Sequence, residues 1–436
     1  MHLKAGKIVG AEATEESDPT IRMFPLRVIL STGEKLLAQK RYGTAEKVFK
    51  EALLKKPWSL RGLTGLGVIY NATSRPEDAA RCFAQVMSYY PNLPKAMEGY
   101  GHALSMLEDC AGAESWFHRA VVAAPDARSA SIALGVTRLR LGDWQKGFAL
   151  YDLREGVATL GASIGRESIW DGRADLNGKT ILVIGEQGYG DHIQFLRYCA
   201  LLKERGARVF FFTREPLRQL CEWVSSIDRV LVDGQKAAFD YAVMAMSLPG
   251  LFGTRPDSIP FTSPYIQPPT PQKPGTAKTH NARPRIAIAW KGNPENSRDG
   301  VRSCPSELMA ELVGSTEGAS FYTLPFDIGS ESNAVLSRLP SLCDADANFS
   351  DVAMALDQID LIISVDTSLA HLGGAIGKRT WLLIGRQPDW RWLTAGEDAL
   401  WYDSVRMFRM GTDWPQLIAR IRQELGRFLI DQEHQS

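Results

Sequence analysis

Small and aromatic positions along the first third of the chain recur at a fixed interval. Gly33, Gly67, Gly101 and Gly135 stand 34 residues apart, and Ala45, Ala79 and Ala113 keep that register, with Gly147 in the fourth place. Phe49, Phe83 and Phe117 each follow an alanine by four residues, Tyr151 completes the series, and Pro57, Pro91 and Pro125 close three units. Such a period predicts stacked antiparallel helix pairs. The small residues let two helices approach, the ring fills the space between neighbouring pairs, and proline ends the second helix because it lacks an N–H. Thr159 stands where a fourth proline would, so the array is expected to span residues 26–155 as three and a half units. Residues 1–25 read as a polar, weakly ordered leader.

From Asn177 the pattern changes to short runs rich in Val, Ile and Phe alternating with helical stretches, which predicts βαβ units and parallel sheets. The runs are Thr180–Ile184, Arg208–Thr213, Val230–Val232 and Tyr241–Met246 in one half (177–263). In a second half (286–430) they are Ile286–Trp290, Phe321–Leu324, Leu361–Val365 and Thr380–Ile384. Between the halves, residues 264–285 carry six prolines and have linker composition. A final helix is expected from Trp414 to Ile430. The architecture predicted is therefore α plus α/β: a short helical solenoid, then two Rossmann-like halves with a ligand-binding cleft between them.

Composition narrows the function. A chain of 436 residues exceeds one ordinary core. Lys plus Arg equal Asp plus Glu at 50 each, which argues against a nucleic-acid or anionic-membrane partner. The six cysteines are scattered without a C-x-x-C pair, so neither zinc nor a disulfide framework is expected. Residues 1–20 have no apolar signal region and no stretch reaches the ~18 apolar residues of a membrane span, so the expected address is the cytoplasm.

Four segments carry candidate chemistry. After the first strand comes Gly185-Glu186-Gln187-Gly188-Tyr189-Gly190-Asp191-His192, a glycine-rich turn into a helix. Gly188 and Gly190 allow close backbone approach to phosphate, and Asp191 with His192 is the candidate catalytic pair. The glycine order is not the dinucleotide fingerprint, and on spacing alone Asp191 suits a helix N-cap better than a catalytic role. After the strand at Leu361–Val365, Asp366, Thr367 and Ser368 open a second helix whose N–H groups suit a diphosphate, with His371 one turn further in. After Ile286–Trp290, Lys291 and Asn293, with Arg298 and Arg302-Ser303 beyond, offer phosphate contacts or simply a solvated basic loop. After Thr380–Ile384, Trp390 and Trp392 flank Arg391 and suit either stacking on a base or sugar, or a wedge between the halves.

The 34-residue columns resemble the tetratricopeptide repeat. Segments Gly185–Tyr198, Trp290–Asn293 with Arg302-Ser303, Val365–Gly374 and Asp389–Trp392 resemble repeat-containing bacterial glycosyltransferases. They are similar to the ADP-heptose:lipopolysaccharide heptosyltransferases and, more distantly, the O-GlcNAc transferases. The resemblance implies a GT-B pair of domains, donor nucleotide on the second and acceptor facing the first, with no bound metal or other cofactor required. It implies Asp191 as general base, Asp366-Thr367 at the donor diphosphate, and Lys291 and Arg302 near phosphate. Ser368 departs from the glycine usual in heptosyltransferases. The expected function is inverting sugar transfer from a nucleotide-sugar to a protein or glycan acceptor, the repeats either holding a protein acceptor in their groove or packing as a scaffold against the next domain. The alternative is a non-catalytic interaction protein with a degenerate nucleotide-sugar-binding domain.

Overall fold

The structure, a computed structural model, describes residues 19–262, 264–269, 283–294, 299–324 and 333–435. Residues 1–18 of the expected leader, 270–282 of the expected linker and Arg298 lie outside them. The chain divides into two compact units, Met1–Leu141 and Gly142–Ser436.

The first unit is built of helix pairs. Leu26–Ala38 pairs with Tyr42–Lys55, Leu60–Ala72 with Pro76–Tyr89, and Pro94–Met106 with Cys110–Ala123, followed by Arg128–Arg140. Pro57, Pro91 and Pro125 each fall just past the end of a second helix. The repeated glycines are explained by the repeated rings. A Cβ on Gly33 would lie 2.8 Å from Phe49, one on Gly67 2.7 Å from Phe83, and one on Gly101 2.8 Å from Phe117. Phe49 and Phe83 also press against Gly65 and Gly99 of the following repeat, so each ring is clasped between two glycine-bearing helices. The turns within the pairs carry a further column. Lys40, Ser74 and Glu108 all have left-handed backbones (φ 57°, 57° and 65°), and Gly142 occupies the fourth such place at φ 88°.

Part of the leader differs from expectation. Pro19–Arg22 is a helical turn, and Arg22 Nε donates to buried Glu51 at 2.8 Å, which ties it to the first pair.

In the second unit, two parallel sheets follow the helices Trp144–Tyr151 and Glu155–Ile164. The first sheet consists of β1 (Thr180–Ile184), β2 (Arg208–Phe212), β3 (Arg229–Leu231) and β4 (Tyr241–Met244), in the order β3-β2-β1-β4. The second consists of β5 (Arg285–Ala289), β6 (Ser320–Tyr322), β7 (Leu361–Val365), β8 (Thr380–Ile384) and β9 (Val405–Arg409), in the order β6-β5-β7-β8-β9. Every position of β7 and β8 is buried, as befits central parallel strands covered on both faces. β9 was not expected: it is an edge strand with arginines at 406 and 409, so no continuous apolar run announces it. The final helix runs from Trp414 to Gln435. Among the described residues no helix is long and apolar enough to cross a membrane.

Two expected boundaries shift. The repeat register runs on to Tyr151, but the first unit ends at Leu141, so the second helix of the fourth pair belongs to the α/β unit. There Trp144 stacks on Trp401 at 5.3 Å and Phe148 meets Trp390 edge-on at 5.3 Å. The start of the expected linker is also fixed, since Tyr265 and Ile266 donate to the Ala375 carbonyl at 3.0 and 3.2 Å.

Candidate functional site

Each sheet reverses its strand order once, between β1 and β4 and between β5 and β7. Ligands of open α/β sheets bind beyond the carboxyl ends of the strands at such points. A cavity of about 850 Å³ lies there, walled by both halves. The first half contributes Gln187–Asp191 after β1 and Arg214 after β2. The second contributes Lys291–Pro294 after β5, Asp366–Leu369 after β7, and Asp389 and Arg391 after β8.

One wall is cationic. Lys291 and Asn293 line it beside Arg302, whose Nη1 donates to the Asp366 carbonyl at 3.1 Å and whose Nε donates to Asp299 at 3.2 Å. Gly292 permits this approach, because a Cβ there would overlap the Arg302 guanidinium and the Asp299 carboxylate. Ser303 accepts from the Gly292 amide at 2.9 Å and so closes the loop. On the same wall the helix Ser368–Ala375 begins. Its N-cap, Thr367, bonds its hydroxyl sideways to Ser364 at 2.9 Å and makes no side-chain cap. The first N–H groups of that helix therefore open on the cavity, a ready anion site.

The same cavity holds a carboxylate cluster organised by Arg391, which is 6% exposed. Arg391 pairs with Asp191 from the first half, donates to Asp389 at 2.7 Å, and donates to Gln194. Asp191 Oδ2 also accepts from the Gly188 amide at 2.8 Å, so this side chain caps its helix and pairs with Arg391 at once. Burial pushes the Asp191 carboxyl above the usual range, against the pull of the Arg391 guanidinium. Burial, and then the Asp389 carboxylate, push Asp366 up to about 6, opposed by Arg391, the Trp392 indole and Arg302. His371 sits beneath, with Nδ1 2.8 Å from the Tyr402 hydroxyl and its ring stacked on Trp392 at 5.4 Å. Burial and the field of Arg391 lower His371 to about 3. The 3.8 Å approach of its Nε2 to Asp366 is thus a contact of a neutral imidazole and not an ion pair. The two halves meet tightly here: a Cβ on Gly190 would lie 2.6 Å from His371 Cδ2.

The fold brings Gly188, Gly190, Asp191, Lys291, Asn293, Arg302, Asp366, Thr367, Ser368 and His371 to one cavity. Three expected residues are elsewhere. His192 is 2% exposed and turns its Nδ1 to Thr213 at 2.9 Å, because successive helical residues point about 100° apart and only Asp191 can face the cavity. Burial, then Arg214, lower His192 to about 4. Trp390 and Trp392 are 2% and 1% exposed, packed into the aromatic core, so they cannot stack on a ligand in this conformation. The short helical turn Trp390–Trp392 sends both indoles inward and Arg391 to the cavity.

Although it named the segments that hold Gln187 and Asp389, sequence reasoning gave no role of its own to Gln187, Arg214 or Asp389. The latter two stand just past β2 and β8, and a rule that inspects every polar residue at a parallel strand's end would have found them. Gln187 has a left-handed backbone (φ 61°), which sequence does not advertise. Among the described residues no three His, Cys, Asp or Glu side chains group so as to hold a metal ion.

No family model matches the chain. It is similar to Protein FlbA of Caulobacter vibrioides, 24% identical over 439 residues that cover 84% of this chain and 72% of that protein. Among solved structures it is similar to the E. coli ADP-heptose lps heptosyltransferase II, at 14% identity and a TM-score of 0.41, covering 58% of this chain and 99% of the other. It is also similar to a glycosyl transferase of family 9 from Veillonella parvula (12% identity, TM-score 0.43, 60% of this chain and 99% of the other). The third likeness is to MamA from Desulfovibrio magneticus RS-1 (18% identity, TM-score 0.29, 32% and 77%).

Proposed function

We propose that this chain is a cytoplasmic glycosyltransferase that uses a nucleotide-sugar donor without a bound metal and transfers the sugar with inversion to a protein or glycan acceptor. The observation that carries the reading is the polarity of the cavity. The second half offers Lys291, Arg302 and an open helix start to a diphosphate, and the first half offers the half-buried carboxylate of Asp191.

In the proposed reaction an acceptor hydroxyl or amide attacks the anomeric carbon from the face opposite the diphosphate. The new bond forms to the anomeric carbon as its bond to phosphate oxygen breaks. Asp191 takes the acceptor proton, and the nucleoside diphosphate leaves with the bonding electrons. Lys291, Arg302 and the N–H groups at Ser368 stabilise the leaving charge, the electrostatic part of the work. The repeats offer a surface to a protein acceptor. One observation favours the second reading, a non-catalytic nucleotide-sugar binder: both oxygens of Asp191 are already engaged.

A thermal-shift screen against UDP-, GDP-, ADP- and dTDP-sugars in EDTA tests the proposal. A donor at about 100 times its dissociation constant adds ~2.7 kcal/mol of stability. One donor class should raise the melting temperature, and Asp366→Ala should abolish the rise. No rise with any donor counts against the reading. For turnover, Asp191→Asn should lose about 10²–10⁴ in rate if the carboxylate is the base.

A further inference from the structure

We propose that Tyr151, from the repeat register, is a positioning residue of the cleft: its hydroxyl holds Gln187 in the left-handed conformation that shapes the cavity. The proposal rests on the cleft being the donor site. Helix Trp144–Tyr151 continues the 34-residue columns, yet it is part of the α/β unit. Its last residue is 7% exposed, and the Tyr151 hydroxyl accepts from Gln187 Nε2 at 2.7 Å.

The segment that follows the helix grips the same loop. Arg154 donates to both oxygens of Glu186, at 2.9 and 2.6 Å, and is itself held by Asp152 at 2.6 Å. Glu186 also accepts from the Met246 amide at 3.1 Å. On the far side, Arg214 donates to the Gln187 carbonyl at 2.7 Å. Gln187 is thus held by its side chain and its carbonyl, in a backbone region that residues other than glycine rarely adopt (φ 61°). Strain of that kind persists only where surrounding contacts impose it.

The location gives the strain a purpose. Gln187 borders the main cavity and also a side pocket of about 250 Å³, which shares Arg302, Asp366 and Asp389 with it. Gln187 therefore lines both, and moving it alters the walls of each. A helix inherited from the repeat pattern thus supports part of the site's lining.

The test uses Tyr151→Phe, Gln187→Ala, their double variant, and Gln187→Gly with and without Tyr151→Phe, all in the full chain. Hydrogen exchange at residues 186–191 is read without ligand, and affinities for ADP, UDP, GDP and dTDP are read by calorimetry. Losing one such hydrogen bond predicts ~3- to 10-fold faster loop exchange in Tyr151→Phe and a similar loss of affinity for the nucleotide that binds. The double variant should bind no more weakly than Gln187→Ala, since both act through one contact. In the Gln187→Gly background, which adopts φ > 0 unaided, Tyr151→Phe should change nothing. Unchanged exchange in Tyr151→Phe, or penalties that add in the double variant, would overturn the proposal. If no nucleotide binds even the unaltered protein, the donor-site reading fails, while the exchange data still decide whether Tyr151 holds the loop.

Discussion

Replacing Asp366 by asparagine should make the α/β unit more stable at pH 8 while impairing its site. The side chain is half-buried beside Asp389, with Arg391, Arg302 and a neutral His371 around it. A carboxyl moved from 3.8 to about 6 corresponds to roughly 3 kcal/mol of cost in holding the charge. Because the folded-state carboxyl titrates above its unfolded value, the stability tied to it is complete below about pH 4 and is lost as pH rises through about 6. Asparagine keeps the shape and removes the charge, so the gain at pH 8 should be ~1–3 kcal/mol and should vanish near pH 4. His371, lowered to about 3, is neutral in the folded state across this window, so its own pH effect is shared by parent and variant and cancels in the difference. Urea unfolding followed by tryptophan fluorescence is the assay, and nine of the eleven tryptophans lie beyond residue 141. A variant no more stable than the parent at pH 8, or a gain independent of pH, would refute the reasoning.

Other outcomes follow from the same contacts. Arg391→Met strands the half-buried carboxylates of Asp191 and Asp389 and should cost about 2–4 kcal/mol at pH 7, less if Asp191→Asn is added; equal losses with and without Asp191→Asn would contradict the pairing. Gly33→Ala puts a methyl 2.8 Å from Phe49 and should destabilise the first unit by ~1–3 kcal/mol in thermal melts monitored by circular dichroism. Glu108→Gly relieves a left-handed residue (φ 65°) and should stabilise that unit by up to ~1 kcal/mol, against a neutral or negative change if the turn were unstrained.

What the sequence revealed divides by range. The repeats were legible because each glycine–phenylalanine contact lies within one 34-residue unit or its neighbour and so leaves a column. β1, β7 and β8 were legible as apolar runs of strand length, whereas edge strand β9 was hidden by its arginines. The strand-end rule gathered Lys291, Asp366 and Asp191 into one cavity. The Asp191–Arg391 pair spans 200 positions, and no local pattern records it. Trp390 and Trp392 looked like a ligand box because residue type alone does not say which side of a turn faces inward. The edge of the first compact unit was not legible for a related reason: Trp144, Phe148 and Tyr151 fit the repeat columns, yet they belong to the α/β unit.

The central claim, that the cavity is a metal-independent nucleotide site, is tested most directly by calorimetric titration of ADP, UDP, GDP and dTDP in EDTA. Lys291→Ala and Arg302→Ala are titrated in parallel. The account predicts that one nucleotide binds at one site per chain and that each substitution weakens it roughly tenfold or more, as expected for losing a charged hydrogen-bond partner of phosphate. Binding that survives both substitutions, or no binding at all, would contradict it.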